Sequence, residues 1–183
     1  IYIGTGDRDA WNTKGSGIYK STNGGATWVP GGLNIGSSDM NINKILINPI
    51  NPNKMFAATT NGIYRSRNGG ASWQIIYPGS EVKDLKYKPN DTSVIYGSGA
   101  YFVRSADGGN SFVRHMTTLP YDTVRIEFDV TAANPDYVYV VVSRPDDTFE
   151  GVYRSTDGGQ TFQLRCNAPN ILGYSDLGDD DAG

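Results

Sequence analysis

The sequence has a single cysteine, Cys166, and a single histidine, His115, among 183 residues. One cysteine excludes an intrachain disulfide and leaves the redox compartment unread. No run approaches 18 apolar residues, so no segment reads as membrane-spanning and no direct membrane insertion is expected. Clustered positive charge is missing too: 16 Lys and Arg stand against 19 Asp and Glu, the net charge is −3, and no basic run occurs. That argues against nucleic acid as a partner, which requires grouped Lys and Arg. The nucleophile pattern G-x-S-x-G is also missing. His115 is therefore more readily a polar strand-end residue than a general base or metal ligand.

What the chain has in quantity is glycine, at 23, and tyrosine, at 12, a composition suited to strands and tight turns. The glycines are organised. One phrase is written four times, as GIYKSTNGGATW from Gly17, GIYRSRNGGASW from Gly62, YFVRSADGGNSF from Tyr101 and GVYRSTDGGQTF from Gly151. The first glycine of each pair is Gly24, Gly69, Gly108 or Gly158, giving spacings of 45, 39 and 50 residues. Self-similarity at such a period is the signature of a stacked or radial repeat.

Each copy is an alternating strand ending in Lys or Arg and Ser, then a turn, then Ser or Thr and an aromatic. Paired glycines permit positive φ, which a side chain would resist. The Asp or Asn before them can accept backbone N–H bonds and close the turn from inside. The structural residues of the four turns are Ser21, Asn23, Gly25, Thr27 and Trp28; Ser66, Asn68, Gly70, Ser72 and Trp73; Ser105, Asp107, Gly109, Ser111 and Phe112; and Ser155, Asp157, Gly159, Thr161 and Phe162. Asn23 and Asn68 keep an acceptor oxygen without its charge, so their amide bonds are expected to be slightly weaker.

The pattern S-x-D-x-G-x-T-W/F resembles the Asp-box, or BNR repeat, of β-propeller proteins. That resemblance implies a folding role for these residues, at the periphery of a blade and away from any active site. The expected fold is all-β: a β-propeller of four-stranded antiparallel blades with Asp-box turns. Residues 1–36 read as a partial blade lacking its innermost strand, 37–79, 80–118 and 119–168 as blades, and 169–183 as the start of a further blade or a closing tail. The sequence opens at Ile1 without Met and stops at Gly183 in loop-like sequence, so both ends read as cut. The tail ILGYSDLGDDDAG is a poor strand. An incomplete arc of a larger propeller is therefore preferred to a closed ring of four.

No catalytic residue and no required cofactor is assigned. The acidic groups are Asp7 and Asp9 in the first loop, Asp146, Asp147 and Glu150 in an insertion, and Asp176 to Asp181 in the tail. Solvated loop residues account for most of them. Asp7, Asp9, Asp179, Asp180 and Asp181 offer hard oxygen ligands in Gly-containing loops, so calcium is possible there. Lys20, Arg65, Arg104 and Arg154 recur at one strand position before each box, as a repeat-level structural feature would, unlike the asymmetric arginine cluster of a sialidase. Trp11 sits in a polar loop, where it could pack or stack on a sugar or partner.

Taken whole, the chain resembles Asp-box propellers of the sortilin/Vps10, xyloglucanase-like and photosystem-assembly-factor type. Its opening, IYIGTGDRDAWNTKGSGIYKSTNGGATW, looks most like large secreted or cell-surface proteins of Bacteroidetes, often exported by the type IX system. The resemblance implies a non-catalytic extracellular platform within a larger bacterial protein, binding a protein or glycan and packing against the remaining blades of its own polypeptide. The alternative is a glycoside hydrolase, xyloglucanase-like or sialidase-like, whose catalytic residues lie partly outside this segment.

Overall fold

A computed structural model of the chain describes residues 1–9, 14–34, 40–115 and 117–172. The described residues contain no helix, so none is long and apolar enough to cross a membrane.

Among the described residues, fifteen strands form four sheets. The first has three strands in the order β1 (Tyr2–Gly4), β2 (Gly17–Lys20), β3 (Val29–Asn34). The second runs β4 (Ile42–Ile47), β5 (Met55–Thr59), β6 (Gly62–Ser66), β7 (Gln74–Pro78). The third comprises β8 (Val82–Lys88), β9 (Asp91–Gly99), β10 (Val103–Ser105) and β11 (Val113–Arg114). The fourth comprises β12 (Arg125–Thr131), β13 (Asn134–Ser143), β14 (Phe149–Ser155) and β15 (Gln163–Cys166). Every sheet is a meander in chain order, the arrangement that short turns between successive strands permit.

Register confirms how the repeats align. Tyr2 lies opposite Lys20, Phe56 opposite Arg65, Tyr96 opposite Arg104 and Tyr139 opposite Arg154. β1 is thus the counterpart of β5, β9 and β13, and among the described residues the first sheet has no counterpart of β4, β8 and β12.

β9 and β13 begin at Asp91 and Asn134, so residues flanking the buried strand centres continue the ladder. β14 likewise begins at Phe149, taking in the end of the expected insertion loop, with Phe149 paired to Ser143 and buried. β3 extends through Gly31 to Asn34, where Gly17 pairs with Asn34.

The chain divides into two compact units, Ile1–Lys86 with Gly109–Phe112, and Tyr87–Gly108 with Val113–Gly183. The first is built on Ile18, Leu33, Met40, Ile42 and Ala57, with Tyr2, Tyr64 and Trp73 packed against them. β5 is buried along its whole length, so both its faces are covered.

The second unit is centred on Tyr96, Phe102, Ile126, Phe128, Val138, Val140 and Val142. The rings of Phe102 and Phe162 meet edge-on at 5.0 Å, and Phe102 meets Phe128 in the same way at 5.7 Å. β13 shows the period of two: Val138, Val140 and Val142 are at most 1% exposed, whereas the intervening Tyr139 is 40% exposed. Unlike β5, β13 keeps one face open among the described residues.

Candidate functional site

The four box turns share one hydrogen-bond scheme. The Ser hydroxyl donates to the Asn or Asp side chain at 3.0 Å in the first box, 2.9 Å in the second and 2.7 Å in the third and fourth. In the first, second and fourth boxes that same Ser oxygen accepts the second glycine's N–H, from Gly25, Gly70 and Gly159. The Asx oxygen then accepts the amide of Thr27, Ser72 or Thr161, each at 2.9 Å.

Asn and Asp complete the turn differently. Asp157 Oδ2 accepts the Thr161 hydroxyl at 2.6 Å, whereas the amides of Asn23 and Asn68 donate to Thr27 and Ser72 at 2.8 and 2.9 Å. The hydroxyl reverses its role, so an Asn box keeps a bond to it without charge assistance, while the Asp157 carboxylate also accepts the Gln160 amide at 3.0 Å. Burial would raise the Asp157 carboxyl, but the Thr161 hydroxyl and amide, with Ser155 and the Gln160 amide, bring it down to about 2.

Both glycines of every box have positive φ, from 64° to 96°. The second glycine is also a contact point. A Cβ on Gly159 would lie 3.0 Å from the Tyr96 ring, and one on Gly70 would lie 3.1 Å from the Tyr2 ring.

These contacts show that a box serves two sheets. Its carbonyl oxygens accept donors from the preceding sheet. Tyr2 Oη donates to Gly69 O at 2.8 Å, and Arg65 Nη1 donates to Gly109 O at 2.9 Å. Gly158 O receives both Tyr96 Oη at 3.1 Å and Arg104 Nε at 2.8 Å. The box aromatic inserts the same way: Trp73 Nε1 donates to Gly31 O at 2.9 Å, Phe112 meets Phe56 and Phe162 meets Phe102. Arg65 and Arg104 are therefore joint residues between successive repeats. Lys20 and Arg154 instead lie over the Tyr2 and Tyr137 rings.

The remaining candidates are engaged locally. Asp7 Oδ1 accepts the Asp9 amide at 2.9 Å, while Lys83 Nζ binds Arg8 O at 2.9 Å and Asp9 Oδ1 at 3.3 Å. A cation at this loop would have to displace the Lys83 ammonium. Asp179, Asp180 and Asp181 lie outside the described residues, as do Asp176 and Trp11. Among the described residues no three His, Cys, Asp or Glu side chains come together.

His115 is a packing residue: its ring meets Phe162 edge-on at 5.2 Å, and Nε2 pairs with Thr118 Oγ1 at 2.8 Å. Burial lowers its pKa, with the distant pull of Asp157 opposing. Asp146 closes a turn onto Thr148, whose hydroxyl and amide lower its pKa, and Glu150 pairs with Arg144.

One open cleft, about 170 Å³ in volume, lies beside the second box, lined by Arg65, Arg67, Asn68, Ser72, Trp73 and Gln74. Arg65 and Arg67 both donate to Asn110 Oδ1, at 2.9 and 3.0 Å. Sequence reasoning did not single out this cleft, since Arg67 stands at a box position filled by Thr22, Ala106 and Thr156 in the other copies.

Comparison with known proteins agrees with this architecture. The BNR/Asp-box repeat model matches residues 153–164, the fourth box. No curated protein matches the sequence. Among solved structures, an ancestral GH74 enzyme matches with a TM-score of 0.68 and 23% identity, over 91% of this chain and 24% of that one. The GH74 xyloglucanase from Xanthomonas campestris gives 0.62 and 14%, over 89% and 28%. The Niastella koreensis GH74 enzyme gives 0.54 and 17%, over 88% and 29%. The fold is a β-propeller segment. It spans about a quarter of the length of the GH74 chains it matches.

Proposed function

We propose that the chain is part of a larger secreted or cell-surface bacterial protein and acts there as a non-catalytic binding platform for a glycan or protein. The observation that carries this reading is the chemistry of the cleft beside the second box. Its lining consists of two guanidinium groups, amides, a hydroxyl and an indole, with no carboxylate. Such groups recognise sugar hydroxyls or a polar peptide by hydrogen bonding and stacking. A glycoside hydrolase requires two carboxyl groups flanking the scissile bond. The carboxylates of Asp9, Asp84, Asp136 and Glu150 instead face Lys83, Lys44 with Lys86, Lys88 and Arg144. The reading requires no cofactor.

The test is a paired assay on the full-length polypeptide with xyloglucan and other plant and bacterial glycans, scoring retention in affinity electrophoresis and release of reducing ends. Retention without new reducing ends, weakened by Trp73→Ala, is the expected result. Release of reducing ends that persists in Trp73→Ala would overturn the platform role and favour a hydrolase with its acids elsewhere in the polypeptide.

A further inference from the structure

The joint between repeats leaves one of its halves unused. Tyr2, Arg65, and Tyr96 with Arg104 each donate to a glycine carbonyl in the next box along the chain. The fourth sheet carries the same donors at the same register, Tyr139 opposite Arg154. Tyr139 is 40% exposed, while its counterparts Phe56 and Tyr96 are fully buried. Arg154 lies over the Tyr137 ring at 5.1 Å, and Tyr137 meets Tyr139 edge-on at 6.4 Å. Two tyrosines and a guanidinium thus face outward on a sheet whose other face is a packed core.

We infer that this outer face of the fourth sheet receives the Asp-box corner of a further blade of the same polypeptide, with Tyr139 Oη and the Arg154 guanidinium donating to its first glycine carbonyl. The chemistry of the occupant follows from the joints already formed: a tight corner with an outward glycine carbonyl, at two of them a second glycine against a tyrosine ring, and an aromatic to insert. The same polypeptide is the source because each acceptor follows its donor in sequence, 44 residues on from Arg65 and 54 from Arg104. No sequence of the box pattern follows Phe162 within the 183 residues. The opposite half of the joint is open at the first box, where Trp28 is 36% exposed against 9% for Phe112 and 4% for Phe162. A second copy could therefore compete for the face, and the experiment separates the two.

The inference rests on the chain being part of a longer polypeptide, not on its acting as a platform; the test below involves neither ligand nor turnover. Hydroxyl-radical footprinting of the full-length protein would be run over a wide range of protein concentration. Tyr121, 80% exposed, and Tyr96, fully buried, serve as internal references. The expected result is Tyr139 protected like Tyr96 at every concentration. Reactivity equal to that of Tyr121 would show a bare face and overturn the inference. Protection lost on dilution would assign the face to a second copy and overturn the occupant. Tyr139→Phe and Arg154→Met should lower the stability of the full-length protein as Tyr96→Phe and Arg104→Met do. Protection with both variants neutral would refute the assigned hydrogen bonds.

Discussion

Arg104 reaches out of its own sheet to donate, through Nε, to the carbonyl of Gly158 at 2.8 Å, and Tyr96 Oη converges on the same oxygen at 3.1 Å. Removing the guanidinium leaves a partly buried carbonyl with one neutral donor. Arg104→Met is expected to destabilise by about 1–3 kcal/mol, the range for a lost charge-assisted bond. Tyr96→Phe, which removes only the hydroxyl, should cost about 1 kcal/mol. Denaturant unfolding with an unchanged m-value would check both, and an effect below experimental error for Arg104→Met would refute the joint.

The fourth box should be visible in the pH dependence of stability. Asp157 stands at about 2 in the folded chain against an ordinary 3.8. A depressed carboxyl stabilises the fold fully above its unfolded value, and that contribution is lost as pH falls from near 4 through 2. Asp157→Asn, which copies the first two boxes, should flatten the stability curve in that acid window while still folding at neutral pH. Tyr96 works at the other extreme. Burial, against the favourable pull of Arg104, pushes it up to about 12, so its contribution is complete below pH 10 and declines as pH rises through 12. Tyr96→Phe should remove that alkaline slope.

Glycine substitutions can separate backbone strain from crowding. Gly79 and Gly159 both have positive φ, 87° and 77°, but a Cβ on Gly79 meets nothing within 4 Å. Gly79→Ala should cost about 1–2 kcal/mol, the penalty for a left-handed residue. Gly159→Ala should cost visibly more in thermal unfolding, since its Cβ would also press on the buried Tyr96 ring. Equal effects would mean that the ring moves aside freely.

Calcium addition or chelation should leave the melting temperature unchanged, because the Asp9 carboxylate is held by Lys83. A calcium-dependent rise abolished by Asp9→Asn would show the ion displacing that lysine. A rise abolished only by substituting Asp179, Asp180 and Asp181 would locate an ion in the tail.

The fold was legible because its information is local and repeated. Paired glycines, an Asx acceptor and a following Ser or Thr determine each corner within a few residues, and Val138, Val140 and Val142 announce a buried face by simple alternation. The arginine position could be seen as structural from its recurrence, but its partner could not. Gly109 and Gly158 lie 44 and 54 residues from the donors, and nothing in the sequence states which neighbour a guanidinium will reach. The cleft beside the second box was illegible for a related reason. Its lining mixes repeat residues such as Asn68 and Trp73 with Arg67 and Gln74, whose meaning depends on packing alone. Nor does the sequence announce that Lys83, 74 residues away, lies against Asp9.

Because a sheet clasps the corner of the repeat after it, the unit that is copied in the sequence is offset from the unit that packs. A genetic duplication of one whole repeat would deliver a clasp for the next corner together with a corner for the preceding clasp. Arrays of this kind can therefore lengthen or shorten by whole repeats without new joints having to evolve. By the same logic, a recombination breakpoint placed between a strand arginine and the following corner would damage two neighbours at once, whereas one placed between complete repeats would leave every clasp with something to hold.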